Sequence, residues 1–121
     1  MPDIIDFLRL KAQLQNFADA RDWNGFHHPK NLCMALSVET AELVEIYQWM
    51  TESESNNACH DPVVREKTAE ELADILLYLT RIADLMKINI SEAVEKKLAI
   101  NNQKYPADTV KGSAKKYNEY F

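Results

Sequence analysis

Two stretches of this chain carry carboxylates where a helix should be apolar. At 100° per residue, residues 31–50 place Leu32, Leu36, Leu43, Ile46 and Met50 in one stripe. Glu39 lies in the middle of that stripe, and Glu42 lies about 60° away, beside Ala35 and Trp49. Residues 62–87 repeat the pattern: Val64, Ile75, Tyr78, Ile82 and Leu85 share a face, with Glu71 at its centre and Asp74 at its edge. An ionised carboxylate on a core-facing stripe costs several kcal/mol unless something pairs with it. Side chains at i and i+3 project from one side of a helix and can grip one object. If the two faces pack together, four carboxylates converge, and only Lys67 stands near, one turn before Glu71. A divalent cation answers this most economically, and all-oxygen donors favour a hard ion, Mg²⁺ with Mn²⁺ as a substitute. Intramolecular salt bridges, or acids that simply face solvent, are the competing readings. A di-iron bundle uses Glu-x-x-His on two helices. Here Glu42 and Asp74 occupy those positions, and all three histidines lie outside these helices.

The rest of the chain supplies a frame for such a site. Its 121 residues suit one domain, 1–121, and 46% hydrophobic residues exclude a fully disordered chain. Only Gly25 and Gly112 are glycines, so neither a G-x-G-x-x-G nor a P-loop motif can be written. An all-α, four-helix bundle-like protomer is the expected fold. The first helix begins after Asp3 as N-cap and ends near Trp23–Gly25. The second has Pro29 suited to a first helical position and a run from Asn31 to Met50 free of Pro and Gly, and a polar loop spans 51–60. Asp61-Pro62 opens a third helix running to about Lys87, and Asn89 with Glu92 caps a fourth reaching about Asn102. After Tyr105-Pro106 the reading is an irregular basic tail, 103–121. The third helix is apolar over most of its circumference, which hints at a homo-oligomer.

Charge narrows the partners. Residues 1–95 carry −9 and residues 96–121 carry +4. The acidic body argues against a nucleic acid polymer. No run of 18 apolar residues spans a membrane, and the N-terminus lacks the order of an export signal. Cys33 and Cys59 are then expected as reduced thiols in a cytoplasmic protein. Carboxylate-held Mg²⁺ characteristically keeps room for substrate phosphates. Lys97, Lys104 and Lys116 are candidate cations for the rest of a phosphate chain. Trp23, Phe26, Trp49 and Tyr78 are candidate stacking surfaces for a base, with core packing as the alternative for Trp49 and Tyr78.

The combined pattern Glu39-Thr-Ala-Glu42, 28 residues, Glu71-Leu-Ala-Asp74 resembles the metal motif of the MazG-type nucleotide pyrophosphohydrolases. Further segments are similar to the dCTP pyrophosphatase branch: Arg21-Asp-Trp-Asn-Gly-Phe-His27, Pro29-Lys-Asn-Leu32, Tyr47-Gln-Trp49, Lys97 to Pro106 and Lys115-Lys-Tyr117. The likeness runs over about residues 5–120. It implies an all-α fold assembled as intertwined dimers, often paired into tetramers. It also implies Mg²⁺-dependent hydrolysis of a nucleoside triphosphate between the α- and β-phosphates, releasing monophosphate and pyrophosphate. Carried over residue by residue, Glu39, Glu42, Glu71 and Asp74 hold metal. Trp23, Asn24, Phe26, His27, Trp49 and Tyr78 contact base and sugar. Asn101, Lys104 and Lys116 approach the phosphates, and Glu39, Glu42 or Glu45 takes the proton of the attacking water. Leu14 departs from the pattern, because the dCTP-selective relatives carry histidine there. Two other classes fit the residues: a non-catalytic helical oligomer that binds nucleotide or protein, and a phosphoribosyl-ATP pyrophosphohydrolase-like enzyme.

Overall fold

The computed structural model describes residues 5–113, and every regular element among them is helical. In chain order these are α1 (Phe7–Ala20), α2 (Pro29–Tyr47), α3 (Glu52–Asn57), a 3-10 turn (Ala58–His60), α4 (Pro62–Leu85), α5 (Ile90–Lys104) and α6 (Ala107–Val110). The four long helices are the four that the periodicity predicts. The chain forms two compact units, Met1–Lys87 and Ile88–Phe121.

The first unit is built on α4. Asp61 caps it by accepting from the backbone N–H groups of Val63 and Val64 at 3.0 and 3.4 Å, and Pro62 stands in its first turn, where a missing N–H costs nothing. Helix α2 packs most extensively on α4, with α1 next. The Tyr47 hydroxyl and Thr68 Oγ1 meet at 2.6 Å across α2 and α4, while Glu39 and Glu71 meet further along. That ordering makes the two helices antiparallel. The stripes read from sequence are their inward faces: Leu32 is buried, and Leu36, Leu43, Ile46, Met50, Val64, Ile75, Tyr78, Ile82 and Leu85 are all half-buried.

Several helix boundaries differ from the sequence expectation, three of them for a clear local reason. Asp3 lies outside the described residues, and the cap of α1 is Asp6, whose carboxylate accepts from Arg9 N–H at 3.1 Å. Helix α1 stops at Ala20, before Trp23–Gly25, because Asp22 rather than a glycine takes the left-handed conformation (φ 54°). The Trp23 N–H then bonds back to Ala18 O at 3.0 Å and the Asp22 N–H to Asp19 O at 3.2 Å, which closes a Schellman motif. The expected loop over 51–60 is instead α3 and the 3-10 turn. Thr51 and Glu54 form a reciprocal capping box there, a signature that polar composition hid.

In the second unit, Asn89 caps α5 by accepting from Glu92 N–H at 3.1 Å. Helix α5 reaches Lys104, beyond Asn102, and the tail expected to be irregular opens with the single turn α6 after Pro106. Residues 91–100 are exposed throughout, Val94, Leu98 and Ile100 included. Lys115, Lys116 and Tyr117 lie outside the described residues. Among the described residues, no helix is long and apolar enough to cross a membrane.

Because α4 carries both packing faces of the first unit, its cap matters to the whole unit. Asp61→Ala lowers unfolding stability by about 1 kcal/mol, read as a lower urea midpoint at an unchanged denaturant slope.

Candidate active site

The register of α2 against α4 brings three carboxylates together. One oxygen from each of Glu39, Glu42 and Glu71 lies within 4.8 Å of the others, with Glu39 and Glu71 half-buried and Glu42 exposed. Asp74, one turn beyond Glu71, is half-buried and lies near enough for its charge to act on both Glu39 and Glu71. Glu45 is exposed and stands outside the cluster. Among the described residues no lysine or arginine forms an ion pair with these acids, and Lys67 is exposed.

Glu39 Oε2 and Glu71 Oε2 are both buried without a hydrogen-bond partner among the described residues. Two ionised carboxylates offer each other only acceptors, so neither can satisfy the other unless one takes a proton. Glu39 is pushed accordingly from 4.5 up to about 7, first by burial and then by Glu71, Glu42 and Asp74. The Glu71 carboxyl also rises, chiefly through burial. These orphaned oxygens, all hard donors with no sulfur or nitrogen among them, fit a bound divalent cation.

A cavity of about 260 Å³ opens beside this acidic end. Glu39 and Asp74 line it on one side, and Trp23, His27, Tyr78, Phe17, Leu14 and Arg81 are among its other walls. Trp23 reaches it because the Schellman turn directs the chain out of α1, where Trp23 packs edge-on against Phe17 with centroids 5.6 Å apart. His27 meets Trp23 edge-on at 6.1 Å. The Tyr78 hydroxyl is shifted up by burial, then by the charges of Glu39, Asp74 and Glu42, so it stays protonated and remains a donor at neutral pH.

The remaining predicted residues fall elsewhere. Phe26 and Trp49 are exposed, at 67% and 88%, and neither lines the cavity. Asn24 lies behind the wall: its amide donates to Asp19 at 2.7 Å and its carbonyl oxygen accepts from Gln15 and Arg81. Asn101 and Lys104 occupy the last turn of α5 in the second unit, and Lys116 is outside the described residues. Sequence reasoning missed Arg81. It follows Asp74 by seven residues, about 20° away on the helical wheel, and so shares the carboxylate face; yet it is 3% exposed in the cavity wall. Arg81 lines the same cavity as Glu39 and Asp74.

The fold and site define an all-helical protein with a cluster of carboxylates, suited to a divalent cation, next to an aromatic-walled cavity. Comparison with known proteins carries this further. A model of the MazG-like family matches residues 34–120. Over 118 residues the chain is 40% identical to human dCTP pyrophosphatase 1 and 39% identical to the mouse protein, covering 98% of this chain and 68% of each relative. A solved pyrophosphatase structure from Archaeoglobus fulgidus superposes with TM-score 0.76 at 36% identity, over 88% of this chain and 98% of that one. The chain belongs to the MazG-like family, and it is a nucleotide pyrophosphohydrolase.

The raised Glu39 carboxyl has a definite sign in stability. Below its unfolded value of 4.5 both states are protonated and nothing is lost; as pH climbs towards about 7 the folded state must ionise against its surroundings, and stability falls. Metal-free protein therefore melts lower at pH 8 than at pH 5. Glu39→Gln flattens that dependence, as thermal scans in chelator will show.

Proposed function

We propose that this enzyme hydrolyses deoxynucleoside triphosphates between the α- and β-phosphates in a Mg²⁺-dependent reaction, giving the monophosphate and pyrophosphate. The observation that carries the proposal is the pair of orphaned oxygens on Glu39 and Glu71 at the edge of a cavity walled by Trp23 and Tyr78. Glu39, Glu42, Glu71 and Asp74 are the residues that hold Mg²⁺, which supplies neutralisation of the triphosphate charge. The cavity takes the base, with the Trp23 and Tyr78 rings as flat apolar surfaces and the Tyr78 hydroxyl as a donor. A water adds to the α-phosphorus, the bond from that phosphorus to the bridging oxygen breaks, and pyrophosphate leaves. Glu45 accepts the water's proton. It projects from α2 near Glu42 but is outside the carboxylate cluster, so metal ligation does not compete for it.

The name of the relatives points to dCTP as the substrate, and we propose a role in cleaning the nucleotide pool of the cytoplasm. A family match that runs across both compact units supports reading residues 1–121 as one MazG-like domain. We further propose a homo-oligomer, a dimer or a pair of dimers. Val38 and Val44 on α2 and Leu72 and Leu79 on α4 are exposed, as are Trp49 and Val94, Leu98 and Ile100 of α5. Asn101, Lys104 and Lys116 then approach the phosphates, and Phe26 and Trp49 the base, of a site completed by a second copy.

A panel of ribo- and deoxynucleoside triphosphates, with and without Mg²⁺, tests the reaction by chromatography. Monophosphate plus pyrophosphate, only with metal, is the expected result. Diphosphate plus orthophosphate places the cut one bond away and overturns the proposal; no turnover on any member favours a binding protein.

Two variants separate the roles. Glu71→Gln abolishes turnover and also the Mg²⁺-induced rise in melting temperature. Glu45→Gln lowers kcat at least a hundredfold and leaves that rise in place.

A further inference from the structure

Arg81 is a charged side chain that nothing in the proposed reaction uses, yet it is 3% exposed. Its Nε donates to His27 Nδ1 at 3.2 Å, Nη1 to Gln15 Oε1 at 2.7 Å and Nη2 to Asn24 Oδ1 at 3.0 Å. All three acceptors are neutral. Asp84, the carboxylate paired with it, stands at 3.8 Å, beyond hydrogen-bond reach. A guanidinium has five N–H donors. Nη1 and Nη2 therefore each keep one N–H without an acceptor among the described residues. A buried cation in this condition is incompletely satisfied, and it lines the same cavity as Trp23 and Tyr78.

The same contacts set the chemistry of His27. Its Nδ1 accepts from Arg81, so the ring proton sits on Nε2. Burial, followed by the Arg81 charge, lowers the tendency of this ring to take a second proton. His27 is thereby fixed as a neutral N–H donor. Leu14, Phe17 and Leu77 make other parts of the wall apolar. The polar reading of a base thus falls to donors, with the Glu39 and Asp74 carboxylates at the acidic end.

We propose that Arg81 is the specificity-determining residue of this cavity, selecting bases that present two adjacent hydrogen-bond acceptors. Cytosine offers them at N3 and O2, and guanine at O6 and N7. Thymine and uracil place an N–H at position 3, and adenine sets an amino group beside each of its acceptors N1 and N7, so a donor would face the guanidinium. Arginine's planar fork suits such paired acceptors, as it does the guanine edge in DNA, whereas lysine offers a point charge. The inference rests on the assignment of the cavity to the base in the proposed function.

The test uses Arg81→Gln and Arg81→Lys in the full chain, with helical content checked by circular dichroism. kcat/KM is measured for the four deoxynucleoside triphosphates, and binding of the four deoxynucleosides is measured by calorimetry in chelator, which reads the base alone. Native protein favours cytosine or guanine over thymine and adenine in both assays, and the ranking within the pair says which acceptor edge is read. Arg81→Gln narrows that preference about tenfold, mainly through KM. If Arg81→Gln does not fold, Arg81→Lys decides: it keeps the charge, loses the fork and narrows the preference in the same direction.

A uniform loss across all four bases would show a structural role only and overturn the inference, as would a native preference for thymine or adenine. Failure of the proposed function looks different: no pyrophosphate is released from any triphosphate by the native protein.

Discussion

The meeting of Glu39 with Glu71 is the constraint to which the rest of the first unit answers. Two carboxylates with buried oxygens repel one another and lack donors, so the packing of α2 on α4 carries a cost at its own centre. The contacts around it must hold the helices together regardless. Leu32, Leu43 and Ile46 on one side and Val64, Ile75 and Ile82 on the other do so, and the Tyr47–Thr68 hydrogen bond fixes the register. A one-residue shift of either helix rotates its acids by about 100° out of the seam. The site is therefore a property of register, and an apolar seam here would be more stable and without use.

Much of this was legible in the chain because two periodicities conflicted with their own composition. Carboxylates at the centre of an apolar stripe are rare enough that a pair of such stripes identifies both helices and the faces they share. Helix starts were readable wherever a cap and a proline coincide, as at Asp61-Pro62. The end of α1 was not, since an aspartate took the conformation that usually marks a glycine. The short helix α3 was hidden because its stabilisation is a local side-chain exchange between Thr51 and Glu54 and involves no buried stripe.

Arg81 illustrates a different kind of illegibility. A lone arginine on a helix reads as solvated, and its wheel position beside Asp74 suggests only that it neutralises an acid. What makes it special is where three neutral acceptors from α1 and the following connection arrive, and that is a tertiary fact. Trp23 and Tyr78 line the cavity, whereas Phe26 and Trp49 stand in the open. A motif transfers residue types to positions; it does not say what each side chain will touch.

The Arg81 bonds also link sites far apart along the chain: Gln15 lies 66 residues from Arg81, against 32 for the Glu39–Glu71 meeting. Closing the longer loop has the greater entropic cost and depends on α4 being already in place. The α2–α4 hairpin can form first, and the segment from α1 through His27 settles on it afterwards. That segment packs on α4 less extensively than α2 does, so it loosens at a lower cost than the α2–α4 pair. This side of the cavity wall is thus assembled after the α2–α4 pair and loosens before it. Loosening of α1 leaves intact the Glu39–Glu71 seam, which α2 and α4 alone form.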